Sequence, residues 1–307
     1  MKTKIFILLA LLILCLSSLH ARSISSGDTT EVLLIGSSYF NFNNQKGLIQ
    51  GLCDSADKCL YIEMCGPNGL YLADHASRPA TEAKINERDW DYVVLQGVGV
   101  LVAYPYHFTD HPVYPALETL RDKIAANCSS TRMIFCLPWA FEDGMTWYQN
   151  WTDTYEDMQW HIYDTTLQYS EEIVFEIAPV GWAWYGILEA SNYPLHYLHM
   201  SDWNHPTLEG SYLIACTIYS TIFQESTINN PFHAGIPEYE ATLFQSAASD
   251  TVLNNLELWN INPLVQISEH KDPPKTFRLE QNYPNPFTTH TIIPFTLYQD
   301  QMVNLSI

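Results

Sequence analysis

The chain has 307 residues, 47% hydrophobic and 13% aromatic, which excludes a disordered chain and leaves room for one large domain with an appendage. Its 34 Asp and Glu against 14 Lys and Arg give a formal net charge of -20. A surface of that sign repels phosphate backbones and anionic headgroups, so nucleic acid and electrostatic membrane binding are excluded and neutral or cationic partners fit.

The first residues read as an export signal. Lys2 and Lys4 precede twelve consecutive apolar residues, Ile5 to Leu16, and "SSLHA" then offers a small residue for cleavage after Ala21. Twelve residues are too few to cross a bilayer, so no stable membrane span is expected. Lipidation at Cys15 is disfavoured because bulky Leu14 precedes it. Removing residues 1–21 takes away two lysines and no acids, leaving 34 acidic against 12 basic residues (14 less 2). Cys53, Cys59, Cys65, Cys128, Cys136 and Cys216 remain, an even set that permits disulfides in an exported protein, with Cys53 and Cys59 across "CDSADKC" the favoured pair. Zinc is disfavoured, since no Cys-x-x-Cys occurs.

Val32 to Ile35 form a short unbroken apolar run, as in a strand covered on both faces, and Gly36 ends it. Further runs follow at 59–65, 92–96, 133–137 and 173–179. Helical spacing occupies 116–128, 154–173 and the segment beginning "HPTLEGSYLIACTIYSTIF", where Pro206 suits a first helical turn. Strand and helix alternating in this way predict βαβ crossovers, a parallel sheet and helices on both faces. A ligand site is then expected beyond the carboxyl ends of the strands, where Gly36, Ser37 and Ser38 fall. Residues 224–268 complete this domain, "SEHKDPPKTF" is a linker centred on 269–276, and 277–307 is a separate β-rich tail.

The chemistry-bearing residues sit at opposite ends of the predicted domain. A strand-end serine can cap a helix, but it can also be a nucleophile. In "SDWNHP", Asp202 and His205 are three residues apart just before a helix, so the carboxylate can fix the imidazole tautomer while the ring takes a proton from serine. The competing reading of that pair is a polar helix cap. Oxyanion donors are sought at Ser38 N–H, at Gly69 in "NGLYLADH" and at the amide of Gln96, the latter two being otherwise a turn glycine and a strand-end polar residue.

The blocks "IGSSYFN", "NGLYLADH", "DYVVLQ" and "SDWNHPTLEGSYLIA" together resemble those of the SGNH (GDSL-like) hydrolase superfamily, over about residues 31–224. The resemblance implies a flavodoxin-like three-layer α/β/α fold with a five-stranded parallel sheet, a catalytic domain over 31–268, and ester hydrolysis by Ser38, His205 and Asp202 without a cofactor or metal. It places the nucleophile at Ser38 rather than Ser37. Ser37 stands where the family usually has Asp or Asn, and the family's Gly-x-Asn-Asp block has no clear counterpart here.

The tail "FRLEQNYPNPFTTHTIIPFTL" resembles the start of the C-terminal sorting domain of type IX-secreted proteins in Bacteroidetes-like bacteria. It implies engagement with export machinery and a secreted or cell-surface location reached through the periplasm. Trp139, Trp147, Trp151, Trp160, Trp182, Trp184 and Trp203 could stack on sugars or pack in a core; Trp203, between Asp202 and His205, is expected to line the site. His107, His111, His196 and His199 match no strong metal-ligand spacing. The expected activity is that of an exported serine esterase on a small-molecule or polysaccharide ester. The alternatives are a lipase or thioesterase of the same superfamily, and a non-catalytic carbohydrate-binding surface protein.

Overall fold

The computed structural model describes residues 29–104, 113–147, 154–190 and 197–264, with the backbone of 277–279 and 295–297. The segment expected to be an export signal, the expected linker and most of the tail lie outside the described residues, as do His107, His111, His196 and Trp151. Two units are distinguished.

The larger unit is built on strands β1 (Thr30–Ile35), β2 (Leu60–Cys65), β3 (Tyr92–Gln96), β4 (Arg132–Cys136) and β5 (Glu176–Ala178). They form one five-stranded sheet in the order β2-β1-β3-β4-β5, with every neighbouring pair parallel. Val32, Leu33, Leu34 and Ile35 are all 0% exposed, the outcome expected of a strand covered on both faces. The chain moves from β1 to one side for β2 and then crosses to the other side for β3. That reversal opens a crevice at the carboxyl ends of β1 and β3.

The first helices begin just after β1: α1 (Ser38–Asn41), a 3-10 turn over Phe42–Asn44 and α2 (Gln45–Asp54) fill that connection, with α3 (Leu72–Ser77) and α4 (Pro79–Ile85) after β2. Next come α5 (Gly99–Val102), α6 (Tyr114–Asn127), α7 (Tyr155–Ile173), α8 (Val180–Ala190), α9 (Leu208–Phe223) and α10 (Glu238–Leu253). Helix α6 packs with α3, α4 and α7, while α9 packs with α2, α8 and α10. The α9 residues from Gly210 to Phe223 are all buried, so this largely apolar helix is enclosed by neighbours on every side, with Thr217 and Thr221 donating their hydroxyls to carbonyls of the helix itself. Helix α7 instead buries one stripe, including Met158, Ile162, Thr165, Tyr169 and Ile173, at helical spacing.

The elements depart from the sequence reading in three places. The apolar run 173–179 is shortened to a strand over Glu176–Ala178, and Ile173, shared in the sequence between that run and the helical stretch 154–173, goes to the buried stripe of α7. Pro206 precedes α9 and bridges to His199, while Thr207 caps the helix by accepting from Gly210 N–H at 3.2 Å. The Cys53–Cys59 bridge is not formed: all six described cysteines are free thiols, Cys53 buried in α2 and Cys59 exposed before β2. Burial pushes the Cys53 thiol up to about 12, so it stays protonated.

The second unit contains β6 (Phe277–Leu279) and β7 (Phe295–Leu297), which pair antiparallel with Phe277 opposite Leu297.

Val174, at the end of α7, has φ 61° and is 71% exposed. A β-branched residue in the left-handed region carries a local steric cost with no burial to offset it, and glycine is the usual occupant of such a position. Val174→Gly should therefore raise unfolding stability by about 1 kcal/mol, read from the midpoint of urea denaturation.

Candidate active site

Strand β1 ends at Ile35, and Gly36 turns the chain toward the crevice. A side chain at Gly36 would place its Cβ 2.9 Å from Gln96 Oε1 and 2.9 Å from the Phe40 ring, so this close approach requires glycine. Ser37 then adopts an extended conformation as the residue before α1, and Ser38 is the first residue of that helix.

Ser38 Oγ lies 2.9 Å from His205 Nε2, and His205 Nδ1 lies 2.6 Å from Asp202 Oδ2. The other Asp202 oxygen accepts the backbone N–H groups of Asn204, at 3.2 Å, and His205, at 3.0 Å. Three residues of separation are thus closed by an Asx turn that points the carboxylate at the ring. Burial alone would raise the Asp202 pKa, but the hydrogen bonds from His205 N–H, the His205 ring and Asn204 N–H outweigh it and hold the carboxyl below its ordinary 3.8. In this arrangement Nδ1–H donates to Asp202, leaving Nε2 to accept from the serine hydroxyl.

The histidine loop is held at both ends. Met200 N–H donates to His205 O at 2.7 Å and Thr207 N–H to Leu198 O at 3.0 Å. Asn43 Nδ2 reaches across from the turn after α1 to Pro206 O at 3.0 Å and Ser211 Oγ at 3.0 Å. The Tyr39 hydroxyl donates to Asn204 Oδ1, and Trp139 Nε1 donates to Asn204 O at 2.9 Å. Tyr39 stands edge-on to the His205 ring at 5.4 Å and Phe42 lies over it at 4.3 Å, so apolar rings wall the imidazole. Burial, with Asp202 and then Tyr71 adding to it, pushes the Tyr39 phenol far up, and it remains a neutral donor.

The other sequence candidates are placed as follows. Gly69 has φ 78° with open space around it, in the turn after β2. Asn41, one helical turn after Ser38, ties that turn to α1 by donating to Gly66 O and, at 2.6 Å, to Asn68 Oδ1. Gln96 departs from its expected oxyanion role. Its Oε1 accepts Ser37 N–H and Ser37 Oγ, each at 3.1 Å, its Nε2 donates to Gly97 O, and the residue is 3% exposed. The amide is committed to holding the backbone beside the nucleophile. Trp203 is 60% exposed, with φ 66°, and its carbonyl accepts Glu142 N–H at 3.0 Å. Trp139 and Trp184 are core residues, stacked on each other at 4.6 Å, whereas Trp147 and Trp160 are exposed.

Asn41, Asn43, Asn204 and Tyr39 escaped the sequence reading. For Asn41 and Asn43 the available signal was "NFNN" at 41–44, three residues after the candidate nucleophile: Asn43 and Asn44 both have positive φ, and asparagine is one of the few residues that tolerate it. His199 is buried with Nε2 2.9 Å from Ala140 O. Among the described residues, no group of three or more His, Cys, Asp or Glu could hold a metal ion, and no helix is long and apolar enough to cross a membrane.

Neither a protein-family model nor a curated protein matches the chain. Among solved structures, a DUF4886 family protein from Bacteroides uniformis aligns at 22% identity over 74% of this chain and 95% of its own, with a TM-score of 0.62. That likeness is one of fold: the two share the parallel-sheet α/β architecture. A candidate SGNH hydrolase from Slackia heliotrinireducens aligns at 17% identity over 63% of this chain and 98% of its own, TM-score 0.49. The acetylxylan esterase Axe2 from Geobacillus stearothermophilus aligns at 16% identity over 63% and 94%, TM-score 0.47.

The depressed Asp202 pKa gives a signed expectation. A carboxyl whose folded pKa is below its unfolded value contributes stability above the unfolded pKa, and that contribution is lost as pH falls through the folded one. Thermal melts of the wild type and Asp202→Asn should differ most above about pH 5 and converge as pH drops below about 4.

Proposed function

We infer that the protein is a serine esterase that hydrolyses carboxylic esters through Ser38, His205 and Asp202. The observation that carries this reading is the continuous Ser38 Oγ, His205 Nε2, His205 Nδ1, Asp202 Oδ2 chain, with links of 2.9 and 2.6 Å. His205 takes the Ser38 proton as Oγ attacks the ester carbonyl, and Asp202 stabilises the resulting imidazolium. The oxyanion of the tetrahedral intermediate is held by Ser38 N–H and by a donor from the Gly69 turn, which Asn41 ties to α1. His205 then protonates the departing alcohol, water attacks the acyl-enzyme with His205 again as base, and the acid leaves with Ser38 restored.

The substrate in this reading is an acyl ester of a carbohydrate. Exposed Trp203 beside the triad, with half-exposed Tyr71 on the turn after β2, offers flat apolar faces of the kind that stack on sugar rings. Export by the leader at 1–21, sorting through a tail at 277–307 and a place at the cell surface belong to the same proposal, and suit an enzyme acting on a polymer too large to enter a cell.

Ser38→Ala should lower hydrolysis of p-nitrophenyl acetate by at least about 1,000-fold and abolish fluorophosphonate labelling, while Ser37→Ala remains labelled. Labelling that persists in Ser38→Ala would remove the assignment. For the tail, deletion of residues 266–307 should leave esterase activity and the melting temperature of the larger unit nearly unchanged. A large fall in either would show that the tail serves the catalytic unit itself.

A further inference from the structure

The Gly36–Ser37 peptide is the last backbone unit before the residue read as nucleophile, and buried side chains engage both of its polar groups. On one side, Gly36 O lies 2.8 Å from His75 Nε2. On the other, Ser37 N–H donates to Gln96 Oε1 at 3.1 Å. A carbonyl has no proton to give, so Nε2 must carry the hydrogen. Nδ1, 2.9 Å from Thr81 Oγ1, then accepts from the threonine hydroxyl. The orientation of Gln96 is likewise settled, because a backbone N–H can face only its oxygen. His75 is 1% exposed; burial, the largest influence on it, holds its pKa below the ordinary imidazole value and keeps the ring neutral in this tautomer.

The two groups come from opposite flanks of β1: His75 from α3, after neighbouring β2, and Gln96 from the end of β3. They leave little slack, since a Cβ on Gly66 would already stand 3.2 Å from Gly36 O and one on Gly36 2.9 Å from Gln96 Oε1. Only the two rotations at Ser37 separate this peptide from the one that carries Ser38 N–H. Ser37 Oγ, also 3.1 Å from Gln96 Oε1, restrains the residue between them. A residue needed only to fill this space would be better apolar, because burying an imidazole and a carboxamide costs free energy unless their hydrogen bonds are made.

The geometry points to His75 and Gln96 as paired positioning residues that lock the Gly36–Ser37 peptide plane and thereby aim Ser38 Oγ at the carbonyl carbon and Ser38 N–H at the oxyanion. The inference rests on Ser38 being the nucleophile. Its consequence is kinetic: the clamp acts on the transition state and leaves ground-state binding of the ester alone.

The test compares His75→Leu, His75→Gln and Gln96→Leu in the full chain, with kcat and KM for p-nitrophenyl acetate, the rate of fluorophosphonate labelling and the melting temperature. In His75→Leu, kcat and the labelling rate should fall by about 10- to 100-fold with KM within about 2-fold of wild type. His75→Gln, whose amide can present a donor to Gly36 O, should recover to within about 5-fold of wild type. Gln96→Leu should repeat the kcat-only loss, and carries the test where His75→Leu fails to fold. Unchanged kcat in folded His75→Leu or Gln96→Leu overturns the clamp, as does a loss in KM alone or a Gln variant as impaired as the Leu variant. A wild-type protein that neither turns over ester nor labels at Ser38 overturns the esterase reading and the clamp with it. An active wild type with insensitive variants overturns the clamp alone.

Discussion

The hydrogen bond between Ser38 and His205 joins positions 167 residues apart, and the whole site depends on what holds those positions together. One such bond contributes about 1 kcal/mol net, too little to order two loops by itself. The holding force is the packing of α2 against α9. Helix α2 begins just after the turn that follows Ser38, and α9 begins just after the loop that carries His205. Two helices packed side by side therefore deliver the residues before their first turns to one place. Burial of every α9 residue from Gly210 to Phe223 fixes its axis and rotation, and Asn43 pins the two starts together through Pro206 O and Ser211.

Beneath this contact lies an aromatic floor. Tyr39 stacks on Trp139 at 4.8 Å, and Trp139 stacks on Trp184 at 4.6 Å, so the histidine loop rests on three large rings anchored in the core. Tyr39 and Trp139 also spend their polar atoms on Asn204, one residue before His205. The same rings thus provide both area and direction, which aliphatic side chains could not do. Asp202 is placed differently. Its side chain is 48% exposed, where charge alone is screened by water, so its orientation depends on the two backbone N–H groups it accepts.

What was legible in the sequence follows from where each signal resides. The apolar run at β1, the glycine after it and the Asp-x-x-His spacing are local, and local patterns survive into the structure. The direction of Gln96 is not local: its side chain is turned by Ser37, which becomes its neighbour only when β3 lies beside β1. Asn43 and His75 are ordinary polar residues until α9 and Gly36 are beside them. Ile173 reads as the end of a helix and as the start of a strand, because β-branched and aromatic residues follow it, and the buried stripe of α7 claims it. Short spacing suggested a Cys53–Cys59 bridge, but helix α2 turns one thiol inward while the other stays at the surface.

Charge bears on the proposed substrate by a separate route. Among the described residues, Lys46, Lys58, Lys84, Arg88, Lys123 and Arg132 each lie within ion-pair reach of a glutamate, so these cations are partly neutralised at close range. The net charge of -20 reflects the excess of 34 acidic over 14 basic residues. At physiological salt the resulting field decays over about 8 Å, which is still long enough to act on a ligand approaching the rim. An ester with anionic neighbours meets that repulsion and the Asp202 carboxylate as well. A neutral ester meets neither, which suits the carbohydrate ester proposed above for the exposed faces of Trp203 and Tyr71. The field therefore disfavours anionic esters before any contact is made, and leaves neutral or cationic ones unopposed.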